Sequence, residues 1–277
     1  MRQLSGKVIR PLLKEVIMHN LSAVPLSFYL YLDQENQDCV SYLNSIKKLL
    51  ESFSVPYVIG YYDKDKTKEE NLSIFKAGIS KHSVLLLRPL PIKEEKEFID
   101  LIPSDSDPDM LSDINRGLLF SGDLNYLPAT AKSVQTILSY YNIETENKNA
   151  VVIGRSLSLG LPCFELLNKK NANVTLLHSK TDEEKRNEYL KNADIIILAS
   201  GHSGLVKKEV LKEGVTIIDC GFSSRSGDLS FTVDETDDIN YTPVPGGVGA
   251  LTSYCLLENA IYLKAKSLHL ANTLKSL

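Results

Sequence analysis

Cysteine is scarce in this chain and unpaired in pattern. Its four residues, Cys39, Cys163, Cys220 and Cys255, are scattered with no CxxC motif. That leaves no basis for a structural zinc site or a disulfide framework, and no metal is expected. Cys163 and Cys220 fall within apolar patterns and read as buried, inert thiols. The five histidines show neither metal-ligand spacing nor pairing with a nucleophile, so a hydrolytic triad has no support. Charge of one sign is not in excess: 31 basic against 35 acidic residues leave a net charge of −4. Neither a nucleic acid nor an anionic membrane is therefore expected as a partner. No apolar run is long enough to cross a bilayer, and the start lacks a basic segment followed by an apolar one. A cytoplasmic setting is the expectation. Repeats and low-complexity tracts are missing as well.

What is present is a regular alternation of strands and helices over 277 residues, enough for one large or two modest domains. In the first half, residues 6–21 read as an opening helix whose first turns Pro11 is expected to disturb. The apolar runs PLSFYLYLD (25–33), PYVIGYY (56–62) and SVLLLRPLP (83–91) read as strands. Between the first two lies a helix with Val40, Leu43, Ile46, Leu50 and Phe53 on one face. A charged segment leads from the second strand into a helix ending near Lys81, and DSDPDM breaks regular structure. Strand–helix–strand–helix order calls for parallel pairing with right-handed crossovers.

The second half is more regular. A helix over 129–141 precedes VVIG, NVTLLH, DIIILAS and VTIIDCG, four short apolar runs rich in β-branched residues and separated by helical segments. Such runs describe a doubly wound parallel sheet buried on both faces. Residues 222–238 are polar and irregular, and an amphipathic helix is expected from 252 to the end. The fold class is α/β, with two α/β domains and a cleft between them.

Within this pattern, VVIGRSLSLGLP (151–162) has the form of a strand running into a tight turn and a helix N-terminus. Glycine there lets backbone approach a ligand, and free helix N–H groups favour a phosphate. The spacing is G-x-x-x-x-x-G instead of G-x-G-x-x-G, so on its residues alone the turn serves equally as a packing device.

Several stretches together resemble the methylenetetrahydrofolate dehydrogenase/cyclohydrolase family, often called FolD. They are LSGKVI near the start, RPLP, DPD with INRGLL, VVIGRSLSLGLP, the tetrapeptide HSKT, and YTPVPGGVGALT. The similarity spans nearly the whole chain. It implies a folate-binding domain at residues 1–125, joined by the final helix 252–277, and a Rossmann-type NADP-binding domain at 126–251. It also implies a homodimer that takes tetrahydrofolate derivatives. Methylenetetrahydrofolate would be oxidised by NADP to the methenyl form, then hydrolysed to formyltetrahydrofolate.

Carried over residue by residue, the resemblance places Gly154, Arg155 and Ser156 against the cofactor's adenosine phosphate. A planar, always-charged guanidinium suits phosphate. Ser179 takes the position where NAD-specific folds usually keep an acid, and Lys180 adds charge. Phe222 stands beside the cofactor where the family has isoleucine, and VPGGVG forms a wall against the nicotinamide. Asp109 aligns with the aspartate that holds the aminopyrimidine edge of the pterin, although alone it reads as a turn residue. Tyr42 aligns with a tyrosine that stacks on the aminobenzoyl ring, although alone it reads as a half-buried helix residue.

The departures are specific. The family's catalytic lysine falls at Ile46, one helical turn after Tyr42, and its supporting glutamine falls at Leu87. Lys47 is rotated by about 100° from that position, and Lys48 matches a second, non-catalytic lysine. The family's P-C-T-P reads PATA here, and its G-D-V reads Phe231-Thr232-Val233. Hydride transfer mainly needs positioning. Hydrolysis needs water activated and protons moved. The sequence therefore predicts a retained dehydrogenase and a weakened cyclohydrolase. The alternative is a degenerate paralogue that binds ligand or partner without turnover.

Overall fold

A computed structural model describes residues 2–221 and 227–277. Through the first half, the elements are β1 (Arg2–Gln3), α1 (Gly6–Leu21), β2 (Phe28–Leu32), α2 (Gln37–Ser52), β3 (Tyr57–Tyr61), α3 (Lys68–Gly78), β4 (Ser83–Leu86), α4 (Glu95–Asp100) and α5 (Asp113–Leu119). The second half adds α6 (Ala129–Tyr140), β5 (Asn149–Ile153), α7 (Gly160–Lys169), β6 (Asn173–Leu177), α8 (Glu183–Lys191), β7 (Ile195–Leu198), β8 (Val215–Asp219), β9 (Ile239–Tyr241) and α9 (Thr252–Ser267). The chain divides into two compact units. One comprises Glu15–Leu118 and Leu256–Ser276; the other comprises Met1–Lys14, Leu119–Cys255 and Leu277.

The first of these units is built on β2, whose five residues FYLYL are all buried. It is the central strand of a parallel sheet in the order β3-β2-β4, with Tyr31 opposite Gly60 on one side and Leu86 on the other. Side chains alternate across a strand. Tyr29 and Tyr31 accordingly join Val84, Leu86, Phe75 of α3 and Phe98 of α4 in an aromatic core. The Tyr31 and Phe75 rings meet edge-on with centroids 4.9 Å apart. Leu30 and Leu32 point to the opposite face. Two helix starts are encoded locally: the Asn36 side chain accepts from the Asp38 and Cys39 N–H groups, and Thr67 with Glu70 forms a capping box. Buried Asn71 shapes the loop after β3, accepting from Asp63 N and donating to the Asp63 and Thr67 carbonyls.

The second unit carries a six-stranded, wholly parallel sheet in the order β1-β9-β8-β7-β5-β6. Strands β5 to β9 thus follow a 2-1-3-4-5 order, and the winding reverses between β5 and β7. Ligands of such sheets bind at the carboxyl ends of the strands beside that reversal. The continuous apolar runs have the expected cause: β5, β7 and β8 are interior strands covered on both faces.

Pro11 does not interrupt α1. The helix runs unbroken through it, because Pro11 is exposed while Ile9, Leu13 and Ile17 form a fully buried stripe. The final helix is shorter than its sequence suggests, ending at Ser267. Cys163 of α7 has no exposed surface, and burial pushes its thiol up to about 12. Relative to an ordinary thiol this lowers the thiolate fraction by about a thousandfold. Native protein at pH 8 should leave Cys163 unmodified by iodoacetamide over times that fully label the urea-unfolded chain. Peptide mass mapping reads this directly, and rapid native labelling would contradict it.

Candidate active site

The turn after β5 is held from two sides. Gly154 N donates to Leu177 O at 2.9 Å, tying the end of β5 to the end of β6. Gly154 adopts φ +120°, and a Cβ there would lie 2.2 Å from the Ala199 carbonyl oxygen at the exit of β7. A side chain is excluded both by conformation and by space. Behind the turn, the Ser156 carbonyl and hydroxyl accept from Leu161 N (3.1 Å) and Gly160 N (3.4 Å), closing the first turn of α7. Arg155, Ser156, Leu157 and Ser158 are left exposed or nearly so. At the end of β6, His178 N donates to Thr181 Oγ1 and Lys180 N to His178 Nδ1, so HSKT folds on itself with Ser179 and Lys180 exposed. Arg155, Ser156 and Ser179, distant in sequence, thus share one sheet edge because β5 and β6 pair. No carboxylate lies within HSKT, and Arg155 has no ion pair among the described residues. A cationic fork and exposed hydroxyls beside a glycine turn suit a phosphate-bearing dinucleotide.

Two buried carboxylates brace the same edge. Asp219, at the end of β8, accepts from Gly221 N (2.7 Å), Asp228 N (3.0 Å) and Leu229 N (2.9 Å). Asp228 in turn accepts from Gly201 N (2.8 Å), Ser200 N (3.2 Å) and Ser200 Oγ (3.2 Å). Residues 200–201 follow directly on the Ala199 that abuts Gly154. Thr242 completes the set, its hydroxyl accepting from Asp219 N at 2.8 Å. Sequence reasoning missed both aspartates: Asp219 looks like any acid ending an apolar strand, and Asp228 lies in a polar stretch that reads as irregular. Phe222 lies outside the described residues. In VPGGVG, the Val244–Pro245 peptide is cis and Gly246 O accepts from Lys7 N at 3.3 Å, so the opening helix backs this loop.

The folate-side candidates fall in the β2-centred unit. Tyr42 is 37% exposed on α2, whereas Ile46, one turn on, is 1% exposed and faces inward. Leu87 N continues the ladder of β4 by donating to Tyr31 O at 2.9 Å, and its side chain is 2% exposed. By alternation Leu87 lies on the face opposite Tyr31 and Leu86, the face that α2 covers. Both aliphatic replacements are therefore packed interior residues on one side of the sheet.

Asp109 is half-buried in a loop shaped by its neighbour Asp107. Fully buried, Asp107 accepts from Leu111 N, Ser112 N and Asn115 Nδ2, each at 2.9 Å. Burial pushes its carboxyl above the usual range, against the pull of those hydrogen bonds. Between the two aspartates, Pro108 O accepts from buried Asn259 of α9 at 2.9 Å. Met110 completes the loop at φ +53°. Nothing in the sequence ranked Asp107 above Asp109; only the folded cage does. Among the described residues no three His, Cys, Asp or Glu side chains gather as a metal site, and no helix is long and apolar enough to span a membrane.

Comparison with known proteins agrees with this geometry. Residues 128–268 match the family described as tetrahydrofolate dehydrogenase/cyclohydrolase, NAD(P)-binding domain. The bifunctional protein FolD of Clostridium perfringens is 36% identical over 235 residues, covering 79% of this chain and 82% of that protein. The crystal structure of the FolD methylenetetrahydrofolate dehydrogenase/cyclohydrolase from Campylobacter jejuni superposes with a TM-score of 0.85 at 28% identity, over 96% of this chain and 99% of that one. The Trypanosoma brucei enzyme complexed with NADP cofactor and inhibitor gives 0.85 at 25% identity, over 95% and 97%. Matched over half its length by the family and over most of it by these relatives, the chain belongs to the tetrahydrofolate dehydrogenase/cyclohydrolase family.

Proposed function

We propose that this protein oxidises 5,10-methylenetetrahydrofolate to methenyltetrahydrofolate with NADP, in one-carbon metabolism, and hydrolyses the product to 10-formyltetrahydrofolate only weakly. The carrying observation is the carboxyl edge of β5 and β6, where Arg155, Ser156 and Ser179 stand exposed around a turn too tight for any side chain at Gly154. The bound nicotinamide supplies the hydride acceptor. Arg155 with the Ser156 and Ser179 hydroxyls holds the 2′-phosphate. The Asp109 carboxylate accepts two N–H bonds from the aminopyrimidine edge, which fixes the pterin in one orientation. Tyr42 offers an exposed ring for stacking. These groups orient the substrate, and orientation is what hydride loss from a carbon between two nitrogens chiefly requires.

Hydrolysis asks more. Water must be activated and a nitrogen protonated, and neither Ile46 nor Leu87 can hold or move a proton. Loss of a general acid–base costs about 10²- to 10⁴-fold. Purified protein given methylenetetrahydrofolate and NADP should accumulate the methenyl product by absorbance, with little formyl product after matched quenching. The double variant Ile46→Lys/Leu87→Gln should raise hydrolysis while leaving oxidation within a few-fold. No product with either NADP or NAD from folded protein would instead support a degenerate, ligand-binding paralogue. The homodimer and the cytoplasmic setting belong to the same reading, supported by the family resemblance and the composition; light scattering tests the former.

A further inference from the structure

Asp109 sits in a tight turn whose ends are fastened first. Met110 N donates to Asp107 O at 3.2 Å, which makes Pro108 and Asp109 the central pair of a β-turn. Proline suits the first of these places, because its ring presets φ. Beyond the turn, the Asp107 carboxylate accepts from Leu111 N and Ser112 N. Ahead of it, the Asn115 side-chain amide donates to Asp107 Oδ2 and to Ser104 O, each at 2.9 Å.

These bonds leave the peptide between Pro108 and Asp109 undetermined. Turns of type I and type II share their ends and differ by rotation of that central peptide, and type II demands positive φ at the second central residue. Asp109 does not take positive φ, which excludes type II. The Pro108 carbonyl belongs to this peptide, and Asn259 Nδ2 donates to it at 2.9 Å. Asn259 comes from α9, in the same β2-centred unit, and has no exposed surface. Flipping the peptide would break that buried bond and swing Asp109 into a left-handed conformation, re-aiming its carboxylate. We propose that Asn259 is a positioning residue for the substrate, holding the Pro108–Asp109 peptide in the orientation that presents the Asp109 carboxylate to the pterin. The inference rests on the folate reading above.

The test is calorimetric titration of the full chain with tetrahydrofolate and, separately, with NADP. Wild type, Asn259→Ala, Asp109→Asn and the double variant are compared. Asn259→Ala should weaken tetrahydrofolate about tenfold, the scale on which one lost hydrogen bond shifts the turn between its two orientations, and leave NADP unchanged. Asp109→Asn keeps one acceptor, so binding stays measurable, and it too should lose about tenfold. In that background Asn259→Ala should cost no more than about threefold, since the charge it aims is gone. Asn259→Ser breaks the same bond with a smaller polar side chain and carries the comparison should the alanine variant not fold. A purely structural Asn259 would lower the melting temperature alone, or weaken tetrahydrofolate equally in both backgrounds, or weaken NADP as much. Each of these overturns the role of Asn259 and leaves the folate reading standing. Wild type that binds no tetrahydrofolate, or Asp109→Asn that binds it as wild type does, overturns both.

Discussion

Gly160→Ala should abolish useful NADP binding while leaving a folded protein. An ideal Cβ on Gly160 would sit 2.1 Å from Gly154 O, 2.5 Å from Gly154 C and 2.8 Å from Arg155 N. All three are backbone atoms, so no rotamer change relieves the clash. The turn has no room to retreat, since Gly154 is already pressed against Ala199 O. Either α7 moves off or residues 154–155 are displaced, and the second outcome swings Arg155 and Ser156 away from the phosphate. Overpacking of this kind costs about 1–3 kcal/mol of stability. Losing a charge-assisted contact to the phosphate, worth about 1.5–3 kcal/mol, lowers affinity about tenfold to a hundredfold. Calorimetry with NADP and a thermal melt of the same sample separate the two effects. Gly117→Ala is the control, because nothing lies within 4 Å of its Cβ position. Wild-type NADP affinity in Gly160→Ala would show that the turn does not carry the phosphate.

The same turn shows how far the sequence reaches. Its glycines announce a tight strand-to-helix connection, but not why each is needed: Gly154 answers to β7 and Gly160 to Gly154, and both constraints exist only after the sheet has assembled. Interior strands are legible because burial on both faces demands unbroken β-branched runs. Strands β1 and β9 are not, with two and three residues whose only signature is the neighbour they pair with. Asp109 could be picked out through its motif, whereas Asp107 became visible only when its cage of N–H groups formed. Pro11 misled in the other direction. A propensity against helix, worth about 3 kcal/mol in a helix interior, is overridden by the buried stripe of Ile9, Leu13 and Ile17. The departures at Ile46 and Leu87 were legible as changes of chemistry. That both are packed inside, on one side of one sheet, is a finding of the fold. It means that the ammonium introduced by Ile46→Lys must first be desolvated, a cost that a polar partner introduced by Leu87→Gln is meant to offset.

Asp219→Ala should be the most destabilising single change near the site. The substitution strips three backbone donors, Gly221 N, Asp228 N and Leu229 N, of their shared acceptor at a residue only 2% exposed. Each buried donor left unmet costs about 1–3 kcal/mol. Local opening to water relieves part of this, which leaves a loss on the order of 3–5 kcal/mol, a large share of a domain's stability. Asp219→Asn should fall between. Its single carbonyl oxygen still serves Gly221 and Asp228, as Oδ1 does now, but its amide nitrogen then faces Leu229 N, donor against donor. The damage is directional as well. Asp228 holds residues 200–201 only while Asp219 holds Asp228, so loosening one carboxylate frees the β7 exit that backs Gly154. NADP affinity should therefore decline in the order wild type, Asn, Ala, in step with the urea midpoint. A stable Asp219→Ala protein with wild-type affinity would sever this link between the strand end and the cofactor turn.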